Sequence, residues 1–471
     1  MAKLTTLLLV VLLTAGCALG PNYKRPNVNT PRVYRGAMRQ KAAQPAAESL
    51  GDQKWWEVFQ DEELKKLIRT ALQQNYDVQI AAARILQAQA QLGITRADQL
   101  PSIAAGAFAT DQRSPQSKTG FGTISNIPAF NSSANQVNLS FAWELDFWGK
   151  FRRATEAARA NLLASQWAQQ EVISTLVANV ATAYFQLREL DLELEISRGT
   201  LVSRQGSLKL TQLLADHGAT SLLDVRQAEQ LVFTAAEQVP DLERRIEQQE
   251  NFISTLLGQN PGAVARGRKL TEQPHAPEVP AGLTSSLLER RPDIHQAEQQ
   301  LIAFNARIGV AKAAYFPQIT LTADAGYQSS ALTGLFSGPA GLWSFGGTLT
   351  QPIFQGGRLR NNVRLTEAQK KEAVLVYQQT IQQAFREVSD SLVAYRKNQE
   401  FRAQQELLTN SAQDAAHLSD TRYQGGATSY LEVLTNQTNY FSAELNLAQS
   451  RLTELLALVG LYKALGGGWQ Q

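Results

Sequence analysis

Along much of the chain the apolar positions recur with a helical stride. Leu64, Ile68, Ala71, Asn75, Val78, Ala82, Ile85, Gln89 and Leu92 lie alternately four and three apart, the 3.5-residue spacing of a coiled coil rather than the 3.6 of an isolated helix. A second run, over about 150–215, places Ile173, Val180, Leu187, Leu194, Leu201 and Leu208 seven apart. At 1.5 Å per residue it predicts a helix roughly 100 Å long, where typical helices have about 11–12 residues. Its counterpart over about 358–423 keeps the stride through Val374, Ile381, Val388 and Tyr395 and then turns more polar. Shorter helices are expected over 61–98 and 222–258, two of which laid end to end match one long helix. Pro240 falls inside the latter, where its missing N–H and its ring predict a kink or a break.

Between the helices lie segments of strand character. Val137, Leu139, Phe141, Trp143 and Leu145 alternate with Asn138, Ser140, Ala142 and Glu144. Ile319, Leu321, Ala323, Ala325 and Tyr327 alternate with Thr320, Thr322, Asp324, Gly326 and Gln328, and Trp343, Phe345, Gly347 and Leu349 with Ser344, Gly346, Thr348 and Thr350. A period of two over about ten residues suits a transmembrane strand with one face to lipid and one to a polar lumen. A soluble sheet with one wet face alternates in the same way. Phe147, Trp148, Phe316 and Phe354 cluster at the helix-proximal strand ends, where an aromatic girdle would lie.

The chain repeats itself. Asp77-Val78, Ala81, Ala90, Leu92-Gly93-Ile94, Ala97, Pro101 and Ile103 return as Asp293-Ile294, Ala297, Ala306, Ile308-Gly309-Val310, Ala313, Pro317 and Ile319, each 216 positions on. Gly218-Ala219-Thr220-Ser221, Leu223-Asp224-Val225 and Gly149-Lys150 return 208 positions on as Gly426-Ala427-Thr428-Ser429, Leu431-Glu432-Val433 and Gly357-Arg358. The first copy therefore carries 216 − 208 = 8 extra residues between 103 and 149. Each copy reads helix, hairpin, long helix, turn, helix. The resulting division is 1–16, an export signal; 17–60, an extended segment; 61–258, the first repeat; 259–283, a linker rich in Pro and Gly; 284–465, the second repeat; and 466–471, a tail.

Composition narrows what such a chain does. Of 471 residues 18% are charged and the net charge is +3, against about 25% charged in an average soluble domain, so no field argues for nucleic acid as a partner. The one Cys excludes an intramolecular disulfide and any multi-Cys metal site, and His217, His275, His295 and His417 lie far apart in sequence. No metal or cofactor is expected. With no GxSxG, P-loop or GxGxxG stretch and no segment left over by the repeat, no enzyme is expected. Lys3, the apolar run Leu4–Leu13 and the small residues before Cys17 read as an export signal ending at a lipidation site, Cys17. Nothing after it approaches the ~20 apolar residues of a spanning helix. If the chain crosses a membrane it does so with strands, and four strands fall short of the eight or so that a barrel needs. Several copies must combine.

Certain stretches are more individual. They are Gly16-Cys17 leading to Gly20-Pro21-Asn22-Tyr23 and Arg25-Pro26, and Glu144-Leu145-Asp146-Phe147-Trp148-Gly149. Arg290-Arg291-Pro292-Asp293-Ile294 follows, with Ala297-Glu298, Asn305-Ala306, Ile308-Gly309, Ala311 and Phe316-Pro317, and then Gln351-Pro352-Ile353-Phe354 with Gly356-Gly357-Arg358-Leu359. Together they resemble the TolC-type outer membrane factors, in the lipoprotein branch of NodT-like efflux proteins. The resemblance spans essentially all of the chain after residue 16. It implies an α+β, mainly α fold: a homotrimer whose 12-stranded β-barrel in the outer membrane continues into a long coiled-coil α-barrel in the periplasm. It implies a passive exit duct for drugs or other small molecules, anchored through Cys17 in outer-membrane lipid. Its partners are then a periplasmic adaptor and an inner-membrane pump of the RND type.

The resemblance also places two helix–turn–helix tips, 217–225 and 424–433, at the periplasmic mouth. Gly218, Ala219, Thr220 and Ser221 with Gly426, Ala427, Thr428 and Ser429 are then adaptor-docking residues. Glycine supplies the permissive backbone for the reversal, and Thr or Ser caps the outgoing helix. Asp224, Tyr423, Leu431 and Glu432 are the implied gate. For Asp224 and Glu432 two readings stand side by side: an acidic constriction repeated by three copies, or carboxylates favoured at helix N-termini by the macrodipole. Thr435 stands where family members often carry a further Asp, which leaves Leu431 and Tyr423 to close the pore apolarly. A type I protein-secretion duct shares the fold. From another class, a lipid-anchored enzymatic or structural periplasmic protein shares the anchor.

Overall fold

A computed structural model of the chain describes residues 18–28, 30–31, 34–35, 50–115, 117–119, 125–127, 129–273 and 286–469. Cys17 and His275 lie outside the described residues. The elements repeat as the sequence does. Helix α1 (Trp55–Val58) precedes α2 (Glu62–Gln74) and α3 (Tyr76–Ala97), followed by strands β1 (Ser102–Ser114), β2 (Ser117–Thr119), β3 (Ser125–Ile127) and β4 (Phe130–Glu144), the long helix α4 (Lys150–Asp216) and α5 (Leu222–Leu256). The second half supplies α6 (Leu287–Arg290), α7 (Pro292–Ala313), β5 (Gln318–Ser329), β6 (Gly341–Thr350), α8 (Arg358–Gln424) and α9 (Tyr430–Ala464). Helices α3 and α7 have 22 residues each, α4 and α8 67 each, and α5 and α9 35 each. The extra residues of the first copy lie in its hairpin, where β1 and β4 run 13 and 15 residues against 12 and 10 for β5 and β6.

Three expectations need correction. The stripe from Leu64 to Leu92 is not one helix, because the backbone is extended at Asn75 (φ −63, ψ 132). Asn75 Oδ1 accepts from the N–H groups of Asp77 (2.8 Å) and Val78 (3.2 Å), which starts α3 as an N-cap does, while Nδ2 donates to the Leu256 carbonyl at 2.9 Å. Arg291, the repeat partner of Asn75, stands at the matching break between α6 and α7. Helix α5, by contrast, runs through Pro240 without interruption. The ring costs about 3 kcal/mol in a helix interior, and Ala235 and Leu242, buried on either side, hold the helix together. The 17–60 segment is not extended throughout: Leu50–Asp52 form a 3-10 turn ahead of α1.

The chain forms two compact units. Of the described residues, the first takes in 18–26, Ile85–Ala164 and Glu298–Val376. Its antiparallel sheet has the order β1-β4-β5-β6. The register sets Ala105, Leu139, Ala325 and Trp343 in one row and Ser140, Asp324 and Ser344 in another. One face is therefore apolar and the other polar, with Asn138 Nδ2 donating to Asp324 Oδ1 at 2.9 Å. Trp343 and Phe345 are 82% and 71% exposed, which marks the apolar face as a contact surface. At the helix-proximal end of β5, Trp148 stacks on Phe316 at 4.7 Å and donates from Nε1 to the Pro317 carbonyl at 2.8 Å. Ala157 and Ala160 of α4 pack on Ala303 and Ala306 of α7, small residues that let the helices approach closely.

Residues 18–26 are strapped to these helices. Leu19 N donates to the Trp148 carbonyl at 3.1 Å, and Arg153 donates from Nε to the Leu19 carbonyl (3.0 Å) and from Nη2 to Asn22 Oδ1 (2.8 Å). Gly20 backs onto Gly309: a Cβ on Gly20 would stand 2.5 Å from Gly309 Cα, and one on Gly309 2.5 Å from the Leu19 carbonyl. Arg25 grips buried Glu298 through Nε at 2.7 Å and Nη2 at 2.6 Å, and the Tyr23 hydroxyl donates to the same carboxylate at 2.9 Å.

The second unit takes in the described residues of Asn27–Arg84, Ser165–Ala297 and Tyr377–Gln471. Ile173, Val180 and Leu187 are buried as the stripe predicts, whereas Leu194, Leu201 and Leu208 are half-buried. A neighbouring seam of buried residues, also seven apart, runs Leu176, Ala183, Leu190, Ser197, Arg204 and Thr211, so it turns polar towards the end of α4. In α8 buried Ile381, Val388 and Tyr395 likewise give way to Gln405, Thr409 and Ser419. Asp61 accepts from Tyr184 Oη (2.9 Å), Arg268 N (2.9 Å) and Gln273 Nε2 (3.0 Å), which fastens the start of the inter-repeat linker to the helices.

Candidate functional site

Each long helix ends in the same way. Gly218 and Gly426 have φ 72 and 71, the left-handed region that glycine enters without strain. Gly218 N donates to the Ala215 carbonyl (2.9 Å) and Ala219 N to that of Leu214 (2.8 Å); Gly426 N donates to Tyr423 (2.9 Å) and Ala427 N to Arg422 (2.8 Å). These are paired Schellman motifs. A Cβ on either glycine would meet nothing within 4 Å, so the backbone alone, not crowding, calls for glycine.

The outgoing helices begin less alike than the sequence suggests. Ser221 is the N-cap of α5: its Oγ accepts from Asp224 N at 3.3 Å, and Asp224 Oδ2 accepts from Ser221 N at 3.2 Å, a reciprocal capping box. Thr220 Oγ1 donates to the same carboxylate. Ser429 occupies the N-cap of α9 without a side-chain bond, and Thr428 Oγ1 donates to Glu432 instead. Only Ser221 caps through its hydroxyl, while both threonines steady the carboxylate four residues on. Burial raises the Asp224 pKa, but the hydrogen bonds from Thr220 and Ser221 outweigh it and hold the carboxyl below the usual Asp value. Glu432 Oε1 also lies 4.0 Å from Arg422 Nη1.

Tyr423 lies in the last turn of α8 and packs edge-on against Tyr430 (5.2 Å, 62°), beside a cluster of Ala228, Tyr430 and Val433. Its hydroxyl reaches Thr220 Oγ1 at 3.5 Å and so joins the two tips. Leu431 and its repeat partner Leu223 are both exposed. Sequence reasoning named the first and passed over the second, although the 208-residue offset marks it.

A buried polar group escaped sequence reasoning altogether. Arg204 lies 4.9 Å over the Phe441 ring, donates from Nη1 to the Leu231 carbonyl at 2.8 Å, and has its pKa lowered by burial. Gln437 Nε2 donates to both oxygens of Asp420 (3.0 and 3.2 Å), whose pKa burial raises. The available signal was a polar residue on a seven-residue stripe. Among the described residues no group of His, Cys, Asp and Glu is placed to hold a metal, and no helix is long and apolar enough to cross a membrane.

Residues 67–259 and 283–467 match the outer membrane efflux protein family, and the chain belongs to it. It is 37% identical over 470 residues to a probable efflux pump outer membrane protein of Pseudomonas putida, TtgC, covering 100% of this chain and 96% of that one. Outer membrane protein OprJ of Pseudomonas aeruginosa is 38% identical over 471 residues, covering 98% of this chain and 95% of its own. Among solved structures, the open state of the MtrE outer membrane channel of Neisseria gonorrhoeae matches with a TM-score of 0.85 at 30% identity, over 96% of this chain and 99% of that one. The chain is thus an outer-membrane efflux channel and not an enzyme. It is trimeric: four strands from each of three chains, 4 × 3 = 12, close the barrel, and the helices form a periplasmic barrel. It works with an adaptor and an inner-membrane pump.

Proposed function

We propose that the channel serves an RND-type pump and releases apolar drugs or solvents, with the adaptor docking on Gly218–Ser221 and Gly426–Ser429. Relatives named for antibiotic, toluene and solvent efflux support the substrate class. The observation that carries the docking reading is the pair of matched reversals 208 residues apart, each with open space beside its glycine. Each repeat, 61–258 and 284–465, then supplies one hairpin and one tip, with 259–283 joining them, and Cys17 carries the acyl anchor.

Asp224, Tyr423, Leu431 and Glu432 form the gate in this reading. The polar seams of α4 and α8 favour it physically. Exchanging one hydrogen bond for another costs little, about 1 kcal/mol net, whereas separating an apolar seam exposes it to water. The tip ends therefore shift between packed and loosened arrangements, and an adaptor that binds the loosened one better opens the duct. The test is resting conductance of trimers in planar bilayers. Asp224→Lys and Glu432→Lys are expected to change it, and unchanged conductance in both removes the carboxylates from the gate.

A further inference from the structure

The duplication reaches into the register of the sheet. Ile103 pairs with Phe141 in the first hairpin and Ile319 with Leu349 in the second. These partners are separated by the two offsets of the repeat, 319 − 103 = 216 and 349 − 141 = 208. The copies meet within the chain where β4 pairs with β5, Asn135 opposite Ser329 and Glu144 opposite Thr320. Just past that ladder Leu145 N donates to the Ile319 carbonyl at 2.9 Å. Strands β1 and β6 are the edges of the sheet, so in the trimeric barrel β6 of one chain meets β1 of the next. There too the second hairpin strand of one copy lies against the first strand of another.

We propose that the seam between chains has the register of the seam within each chain. Moving β4 on by 208 positions and β5 back by 216 turns the pair Leu145–Ile319 into Ile353 opposite the partner's Ile103, and Asn135–Ser329 into Trp343 opposite the partner's Arg113. A slip by one residue would set the apolar row of one chain against the polar row of the next, which leaves only registers two residues apart to decide between. Tilt decides. Crossing from β1 through β4 to β5 carries Ser102 to Thr322, four residues past its repeat equivalent, Gln318 (322 − 318 = 4). The proposed seam carries Gln318 through Thr350 to the partner's Gly106, again four past Ser102 (106 − 102 = 4). All the strands then share one tilt, whereas a slip by two makes the stagger alternate around the ring, although tilt, stagger and width are linked in a closed barrel. Exposure agrees: Ile353 and Ile103 are 90% and 72% exposed in the chain, and the seam sets them face to face. It also gives Arg113, a charge on the apolar face, the ring of the partner's Trp343 to lie against. Pro352 does not interrupt the ladder, because the bond from Leu145 makes the odd-numbered residues the ones that bond across.

The test is disulfide formation between full-length chains in outer membranes, read as covalent trimer on non-reducing denaturing gels. Ser344, Gly346, Thr110 and Gln112 all stand on the polar face. In the proposed register Ser344 faces the partner's Gln112 and Gly346 the partner's Thr110, as Gln136 faces Gln328 and Asn138 faces Gly326 within the chain. Such even-numbered pairs lie between the hydrogen bonds, with opposed Cα atoms about 4.5 Å apart and diagonal ones about 7–8 Å. Ser344→Cys with Gln112→Cys, and Gly346→Cys with Thr110→Cys, are therefore expected to link about tenfold more than the exchanged pairs. Those are Ser344→Cys with Thr110→Cys and Gly346→Cys with Gln112→Cys, which report slips by two residues in either direction. The four single variants, whose other cysteine is Cys17, are expected to stay unlinked. Should a double variant fail to assemble, coexpressed chains with one new cysteine each give the same comparison as covalent dimers. Stronger linking of either exchanged pair, equal linking of all four, or no linking in intact trimers would each overturn the proposal.

Discussion

The guanidinium of Arg204 lies 4.9 Å over the ring of Phe441, buried, with its Nε unpartnered among the described residues. Its repeat partner is Ala412, so the charge belongs to one copy alone. Replacing buried charge by an apolar side chain of similar length is often neutral or stabilising, by about 1–4 kcal/mol. Arg204→Met is therefore expected to keep or raise the thermal midpoint of detergent-solubilised trimers, and Arg204→Ala to lower it through lost packing. A lower midpoint for Arg204→Met would mean that the ring contact and the Leu231 bond outweigh desolvation.

Glu189 is buried with Oε1 unpartnered, and its pKa is pushed up to about 8, first by burial and then by Glu193 one turn on. Between the unfolded value near 4.3 and the raised folded value, the native state holds a proton that the unfolded chain has released. Stability therefore falls as pH rises through that window. Glu189→Gln is expected to flatten this part of the pH–stability profile and to be the more stable protein at its upper end. Parallel profiles for the two proteins would contradict the assignment.

At the tips, Gly218→Ala and Gly426→Ala are each expected to cost about 1–2 kcal/mol through the left-handed backbone alone, since no atom stands in the way of the methyl. Trimers should persist on immunoblots while the host loses drug or solvent tolerance. Full tolerance in both variants would separate the tips from adaptor docking.

Glu298 holds Arg25 and Tyr23 on one carboxylate. Arg25 is 49% exposed and Glu298 only 8%, so solvent screens the pair from one side. Arg25→Met is expected to cost about 1–3 kcal/mol and to make residues 18–26 cleavable in limited proteolysis of intact trimers. Unchanged cleavage would show that Arg153 and Asn305, whose Nδ2 donates to the Pro21 carbonyl at 2.7 Å, suffice to hold the strap.

Much of this architecture was legible because duplication prints the same glycines twice. The tips at Gly218 and Gly426, and the matching helix lengths, follow from offsets in the sequence. Strand β1 did not announce itself, since four of the residues of Ser102–Ser114 are Ala and its two large apolar residues, Ile103 and Phe108, are five apart and so fall on opposite faces. The break at Asn75 hid in a heptad position because an Asn there packs inward and caps with the same side chain. The grip of Arg25 on Glu298 spans 273 residues and leaves no local signal. Arg204 was obscured by its own stripe, where periodicity reports burial without reporting polarity.

Gly20 and Gly309 touch backbone to backbone, and Leu19 is held by both Trp148 and Arg153. Residues 18–26 thus tie the start of α4, in the first repeat, to α7, in the second, through rigid contacts. The strap is a rivet, not a leash. A closed barrel holds its strands by pairing, so such a rivet adds little once three chains have met. Its consequence falls earlier, when a lone chain with unpaired edge strands must keep its two repeats together until the other two arrive.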